Sequence, residues 1–232
     1  MTTRTTVSLL RCLAIASVAF VSACSSLPSG NPAGRGPFFT PTNFSGVPVL
    51  PAAIHRVVLM PASGGSVVAP EVAESFDAVF ATALLAEKRF ETVTLTRDEC
   101  RRRFGAEEFS STAALPHDFM QKLRRDFAAD AVIFVDLTSL QAYRPLALGV
   151  RAKLATLEDV SLLWNFDHVF SAADPAVANS ARRYFLKGDT AGTPLDLSPS
   201  ALQSPSRFCE YVAATMFSTL PLVATDVSPS KK

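Results

Sequence analysis

The sequence predicts a single domain of the α/β class: a mixed sheet of about five strands with helices packed on it, in the order β-α-β-α-α-β-β-β-α-α. Three observations carry this. Residues 131–137 form a nearly unbroken apolar run rich in β-branched and aromatic side chains, as in a strand covered on both faces. The chain then alternates twice: Leu148, Val150, Ala152 and Leu154 share one strand face opposite Gly149, Arg151 and Lys153, and Leu162, Trp164, Phe166, His168 and Phe170 share another. Further upstream, apolar positions recur with helical spacing between short strand-like runs, the pattern of crossover units.

Taken in order, residues 57–60 make a short apolar strand closed by Pro61 and the loop Ala62-Ser63-Gly64-Gly65-Ser66. Over residues 71–88, Val72, Phe76, Val79, Phe80, Ala83 and Leu84 fall on one helical face. Residues 90–95 alternate as a second strand. Thr96 and Glu99 have the spacing of a capping box, so a helix runs to Phe104 and stops at Gly105. Pro116 opens another helix, with Phe119, Leu123 and Phe127 spaced by four. Beyond the central strands, whose second turn is the polar pair Glu158-Asp159, Asp174-Pro175 and Ser204-Pro205 each have the cap-plus-proline form of a helix start. Residues 188–202 between those helices read as a loop.

Ahead of the domain lies an address. Residues 1–23 carry Arg4 and Arg11 and then an apolar segment, residues 12–21, too short to cross a bilayer as a helix; this is the form of a signal peptide. Its end, Val21-Ser22-Ala23-Cys24, resembles the lipobox of bacterial lipoproteins, which implies lipid attachment at Cys24. The alternative is an ordinary secretory signal with an incidental cysteine. Several acyl chains on one residue exceed what durable membrane attachment requires. Ser25 in the second mature position implies, by enteric-type sorting, the outer membrane with the body facing the periplasm. Residues 24–51 hold six prolines and four glycines without an apolar period and read as a flexible linker, residues 52–221 as the periplasmic domain, and residues 222–232 as a disordered tail. Phe38, Phe39 and Phe44 are unusual in a spacer, and the reading preferred here is that they dock on the domain.

Loss of residues 1–23 leaves 209 residues, enough for one well-buried core, and moves the formal charge from +1 to about −1, which gives no support to nucleic-acid binding. Cys100 and Cys209 become the only pair not committed to lipid. A disulfide between them and two separate buried thiols are equally open.

Three segments together, Val58-Leu59-Met60-Pro61, Ala128-Ala129-Asp130-Ala131-Val132-Ile133 and Leu162-Leu163-Trp164, resemble a periplasmic domain shared by several bacterial proteins. These are the curli secretion lipoprotein CsgG, the penicillin-binding-protein activator LpoB and the amino-terminal domain of TolB. The similarity covers residues 57–171 and implies a protein that works by binding other proteins, with no catalytic residue to carry over. Two positions depart from the pattern. Asp136 stands where the third strand ordinarily ends in glycine, and the turn Glu158-Asp159-Val160-Ser161 lacks the expected glycine.

No motif specifies a reaction. His55, His117 and His168 are far apart and none has metal-ligand spacing; Asp167 and His168, adjacent in a strand, point to opposite faces and cannot pair as orienter and base. Ser63-Gly64-Gly65-Ser66 follows a strand and precedes a helix, the place of an anion-cradling loop, but has neither phosphate-loop form. Arg101 to Arg103, Arg124-Arg125 and Arg182-Arg183 sit at helix ends, where they offset the dipole, with an anionic lipid surface as the sharper alternative. The expectation is therefore a membrane-anchored lipoprotein acting as a non-catalytic, protein-binding adaptor in envelope assembly or secretion, without cofactor or metal. The alternatives are a subunit of a CsgG-like secretion complex and an envelope hydrolase with an unrecognised site. The connection from Thr138 to Arg144 is too short for the spanning hairpins a pore would need.

Overall fold

A strand as continuously apolar as residues 131–137 must bury both of its faces, so helices cover the sheet from both sides. The computed structural model describes residues 36–188 and 202–224. The strands are β1 (Phe44–Gly46), β2 (Arg56–Leu59), β3 (Glu91–Thr94), β4 (Ala131–Gln141), β5 (Ala147–Thr156) and β6 (Leu162–Ser171). The helices are α1 (Pro70–Glu87), α2 (Arg97–Phe104), α3 (Phe119–Phe127), α4 (Pro175–Gly188) and α5 (Pro205–Phe217). The sheet order is β1-β6-β5-β4-β2-β3, with β2 parallel to both β3 and β4 and every other pair antiparallel. This is the expected single α/β domain with one strand more than expected.

Alternation along β2 and β4 divides the interior in two. Val57, Leu59, Ala131, Ile133 and Val135 face a core completed by α1, α4 and α5 and by Trp164, Phe166 and Phe170. Val58, Met60, Val132 and Phe134 face a smaller core completed by Cys100 of α2, by Phe119 and Leu123 of α3, and by Leu95 and Leu157. The capping box of α2 forms as expected: the Thr96 side chain accepts from the Glu99 amide, and Gly105 closes the helix with φ 86°.

The extra strand comes from the stretch that composition assigned to a linker. Its residues 36–51 are built onto the domain. β1 lies antiparallel on the outer edge of β6, with Phe44 opposite Phe166 and Gly46 opposite Trp164, so that part of an otherwise open sheet edge is covered. Leu50 is fully buried and its amide and carbonyl bond to Leu222 and Ala224, which draws residues 222–224 of the expected tail onto the body as well. The signal segment, Cys24 and the linker up to residue 35, the stretch 189–201, and the tail from residue 225 lie outside the described residues.

The turn between β5 and β6 is made without glycine. Asp159 accepts hydrogen bonds from Thr156 Oγ1 and from the amide and hydroxyl of Ser161, which pulls its carboxyl down to about 2 and folds the turn tightly. Val160 is thereby held at φ 59°, a region costly for a β-branched residue. The Val160→Gly variant is expected to be more stable by roughly 0.5–1 kcal/mol, the relief of strain exceeding the added chain entropy. Chemical denaturation monitored by circular dichroism measures it; an unchanged or lower midpoint would mean that the turn is relaxed as it stands.

Candidate functional site

In open α/β sheets, ligands settle beyond the carboxyl ends of the strands at the point where successive crossovers depart to opposite faces. Here that point is the end of β2: α1 follows it onto one face, and α2 and α3 occupy the other. The loop running from Ala62 to Ser66 lies there, next to β4, with the Ser63 amide bonded to the Val135 carbonyl and the Leu137 amide to the Ser63 carbonyl. Gly64 is required by close approach, since a Cβ on it would stand 2.5 Å from the Val68 carbonyl oxygen.

The loop does cradle an anion, and the anion belongs to the same chain. Glu108 Oε1 accepts from Ser63 Oγ at 3.0 Å, from the Gly64 amide at 3.0 Å and from the Gly65 amide at 3.4 Å. Its other oxygen accepts from Arg97 Nη1 at 2.6 Å. Arg97, only 7 % exposed, also donates through Nε to Asp77 Oδ2 at 2.7 Å and through Nη2 to the Ala62 carbonyl at 2.7 Å. Asp77 accepts the Ala62 amide at 2.8 Å. One guanidinium thus sits between two carboxylates, all three tied to the loop's backbone. Burial, and secondarily the Glu108 charge, outweigh the bonds from Arg97 and leave the Asp77 carboxyl above its ordinary value.

The segment carrying Glu108 is fastened on both sides. Phe109 packs edge-on to Phe104 and against Phe119. Ser111 donates its amide and hydroxyl to buried Asp136, while Lys153 Nζ donates to the Ser111 carbonyl at 3.1 Å. Asp136 is therefore the post to which this segment is tied. The arrangement closes the crevice with groups of the chain itself, each polar atom of the Glu108–Arg97–Asp77 set having a partner.

The other sequence candidates are dispersed. Asp167 pairs with Arg151 at 2.7 Å on one face of β6, whereas His168 is held on the other between Phe39 and Phe170, with ring centroids 4.8 Å from each. Burial lowers the His168 pKa. The His55 amide donates to Asp130, and His117 is exposed. Among the described residues no group of His, Cys, Asp and Glu is placed to hold a metal ion, and no helix is long and apolar enough to cross a membrane.

Cys100 and Cys209 are not bridged. Each is buried and free, one in the smaller core and one in the larger, on opposite faces of the sheet. Burial pushes the Cys100 thiol up to about 12 and the Cys209 thiol upward as well.

The arginine clusters are largely neutralised from within. Arg101 pairs with Glu107, Arg103 and Arg125 with Asp126, and Arg124 with Glu158, while Arg183 lies over the Phe38 ring at 4.6 Å. That last contact belongs to a clamp: the Phe39 amide donates to Ser180 Oγ at 2.8 Å, and Asn179 Nδ2 donates to the Pro37 carbonyl at 3.3 Å. Phe38 and Phe39 thus dock on α4 and β6, as expected; Phe44 instead enters β1, 43 % exposed.

Sequence reasoning missed the Asp77–Arg97–Glu108 set. One signal for it was present: Arg97 opens α2, where a cation opposes the helix dipole and therefore needs another reason to be there.

No family model and no curated protein matches the chain. Several solved structures resemble it. The PelC dodecamer from Paraburkholderia phytofirmans matches with a TM-score of 0.45 and 12 % identity over 77 % of this chain and 96 % of that one. Lipoprotein GNA1162 from Neisseria meningitidis matches with a TM-score of 0.40 and 16 % identity over 58 % of this chain and 99 % of that one. The C-terminal domain of LpoB from Salmonella enterica, named above among the resemblances, matches with a TM-score of 0.32 and 15 % identity over 50 % of this chain and 82 % of that one.

Proposed function

We propose that the chain is a lipid-tethered adaptor of the bacterial envelope, anchored through Cys24 and working by docking other envelope proteins rather than by turning over a substrate. The observation that carries this reading is the self-filled crevice: where this kind of sheet offers its ligand position, Glu108 and Arg97 already occupy it. The Val21-Ser22-Ala23-Cys24 tetrapeptide and the proline-rich stretch after it support the tether. Ser25 favours the outer membrane, with the body facing the periplasm. The clamp at Phe38 and Phe39 supports an adaptor as well, because it fixes where the tether leaves the body.

The tether is tested by detergent phase partition of the protein made in a bacterial host. The natural chain is expected in the detergent phase and the Cys24→Ser variant in the aqueous phase. Crosslinking in cells with mass-spectrometric identification tests the adaptor role. An aqueous natural chain overturns the anchor, and repeated failure to trap any envelope protein overturns the docking.

A further inference from the structure

β4 and β5 run on together past the crevice and end in a hairpin tip, residues 142–145, whose side chains are exposed. Tyr143 is 85 % exposed, the most of any large apolar residue among those described. Arg144 beside it has no ion pair among the described residues. The tip is nonetheless built. Gln141 Nε2 donates to the Pro145 carbonyl at 2.7 Å and to the Tyr143 carbonyl at 3.4 Å, and buried Leu146 accepts from the Ala172 amide at 2.8 Å. An ordered loop that holds an aromatic ring and a cation in water has its conformational cost already met before it binds anything.

What it meets is indicated by where the tether begins. Phe39 packs on His168 and Phe170 of β6, which lie opposite Val150 and Leu148 of β5, within a few residues of the tip. The opposite end of the same hairpins is the turn at Glu158 and Asp159. The chain therefore comes onto the body at the tip end of the sheet. Cys24 is twelve residues before Gly36, a contour of at most about 40 Å. A short leash fixed at that end presents that end to the lipid.

Given the lipid-anchor reading, we propose that the tip of the β4–β5 hairpin is a second membrane contact, Tyr143 settling at the lipid–water interface and Arg144 pairing with headgroup phosphate. Tyrosine suits that depth because its ring is apolar and its hydroxyl wet, and arginine suits phosphate through paired donors. The two attachments together would hold the domain in one orientation, its far turn toward the periplasm.

The test uses the full lipidated chain in vesicles of phosphatidylethanolamine and phosphatidylglycerol. An environment-sensitive fluorophore is placed on a cysteine at Ala142→Cys, or at Glu158→Cys as the control. Cys24 is acylated, and Cys100 and Cys209 are buried, so the new thiol takes the label. Flotation of the labelled protein reads the anchor, and emission reads the tip.

The expected result is flotation of both, a several-fold brighter and blue-shifted signal at position 142 only, and loss of most of that signal when Tyr143→Ser and Arg144→Ser are added. Flotation with a water-exposed probe at 142 overturns the tip contact and leaves the anchor standing. A probe that responds only in whole envelopes, not in these vesicles, assigns the tip to a protein and equally overturns the lipid contact. Failure to float overturns the anchor itself and the orientation that depends on it.

Discussion

Replacing Arg97 by alanine is expected to cost about 3 kcal/mol, because the cost of removing one member of a buried ionic set is set by the charges left behind. Two carboxylates, Asp77 and Glu108, each about a quarter exposed, would then face one another with no cation between them. The Ala62 carbonyl would lose its donor at the same time. Lysine is expected to recover only part of the loss, since a single ammonium cannot span Asp77, Glu108 and Ala62 as the guanidinium fork does. Urea denaturation followed by far-ultraviolet circular dichroism measures the difference. A loss below about 1 kcal/mol would mean that the set behaves as a solvated surface network and that the crevice is less firmly closed than its geometry indicates.

Trp164→Ala should be at least as damaging, with an expected loss of about 3–5 kcal/mol from the lost contacts and the cavity left behind. The indole is fully buried between Phe166 and Phe217, each with its ring centroid 6.4 Å away, and its Nε1 donates to Thr219 Oγ1 at 3.1 Å. It therefore joins β6 to the chain just beyond α5, two parts that are far apart in sequence. Trp164→Phe, which keeps most of the volume and gives up the hydrogen bond, should lose markedly less. Circular dichroism is again the measurement, since Trp164 is the only tryptophan and its removal also removes the fluorescence signal. Equal losses in the two variants would show that the hydrogen bond to Thr219, and not packing, holds this junction.

Most of the fold was legible because its elements announce themselves locally. The alternation of β5 and β6, the capping box at Thr96 and Glu99, and the proline-led starts of α4 and α5 all depend on residues within a few positions of each other. What was not legible depends on partners distant in the chain. Three residues between prolines carry no periodicity, so β1 is a strand only because β6 offers it an edge. Glu108 sits in an irregular stretch, and nothing near it in sequence indicates that Ser63, Gly64 and Arg97 converge on it. The loop at Ser63 was recognised as an anion cradle by its position after a strand; the identity of the anion required the third dimension. The two departures from the resemblance are both explained by local geometry: Asp136 holds Ser111, and Val160 bears the strain of a turn drawn in by Asp159.

The placement of Cys100 and Cys209 in separate cores has a further consequence. With no covalent link between distant parts of the chain among the described residues, the body is expected to hold its stability by packing alone. Its urea midpoint is accordingly expected to be the same with and without a thiol reductant.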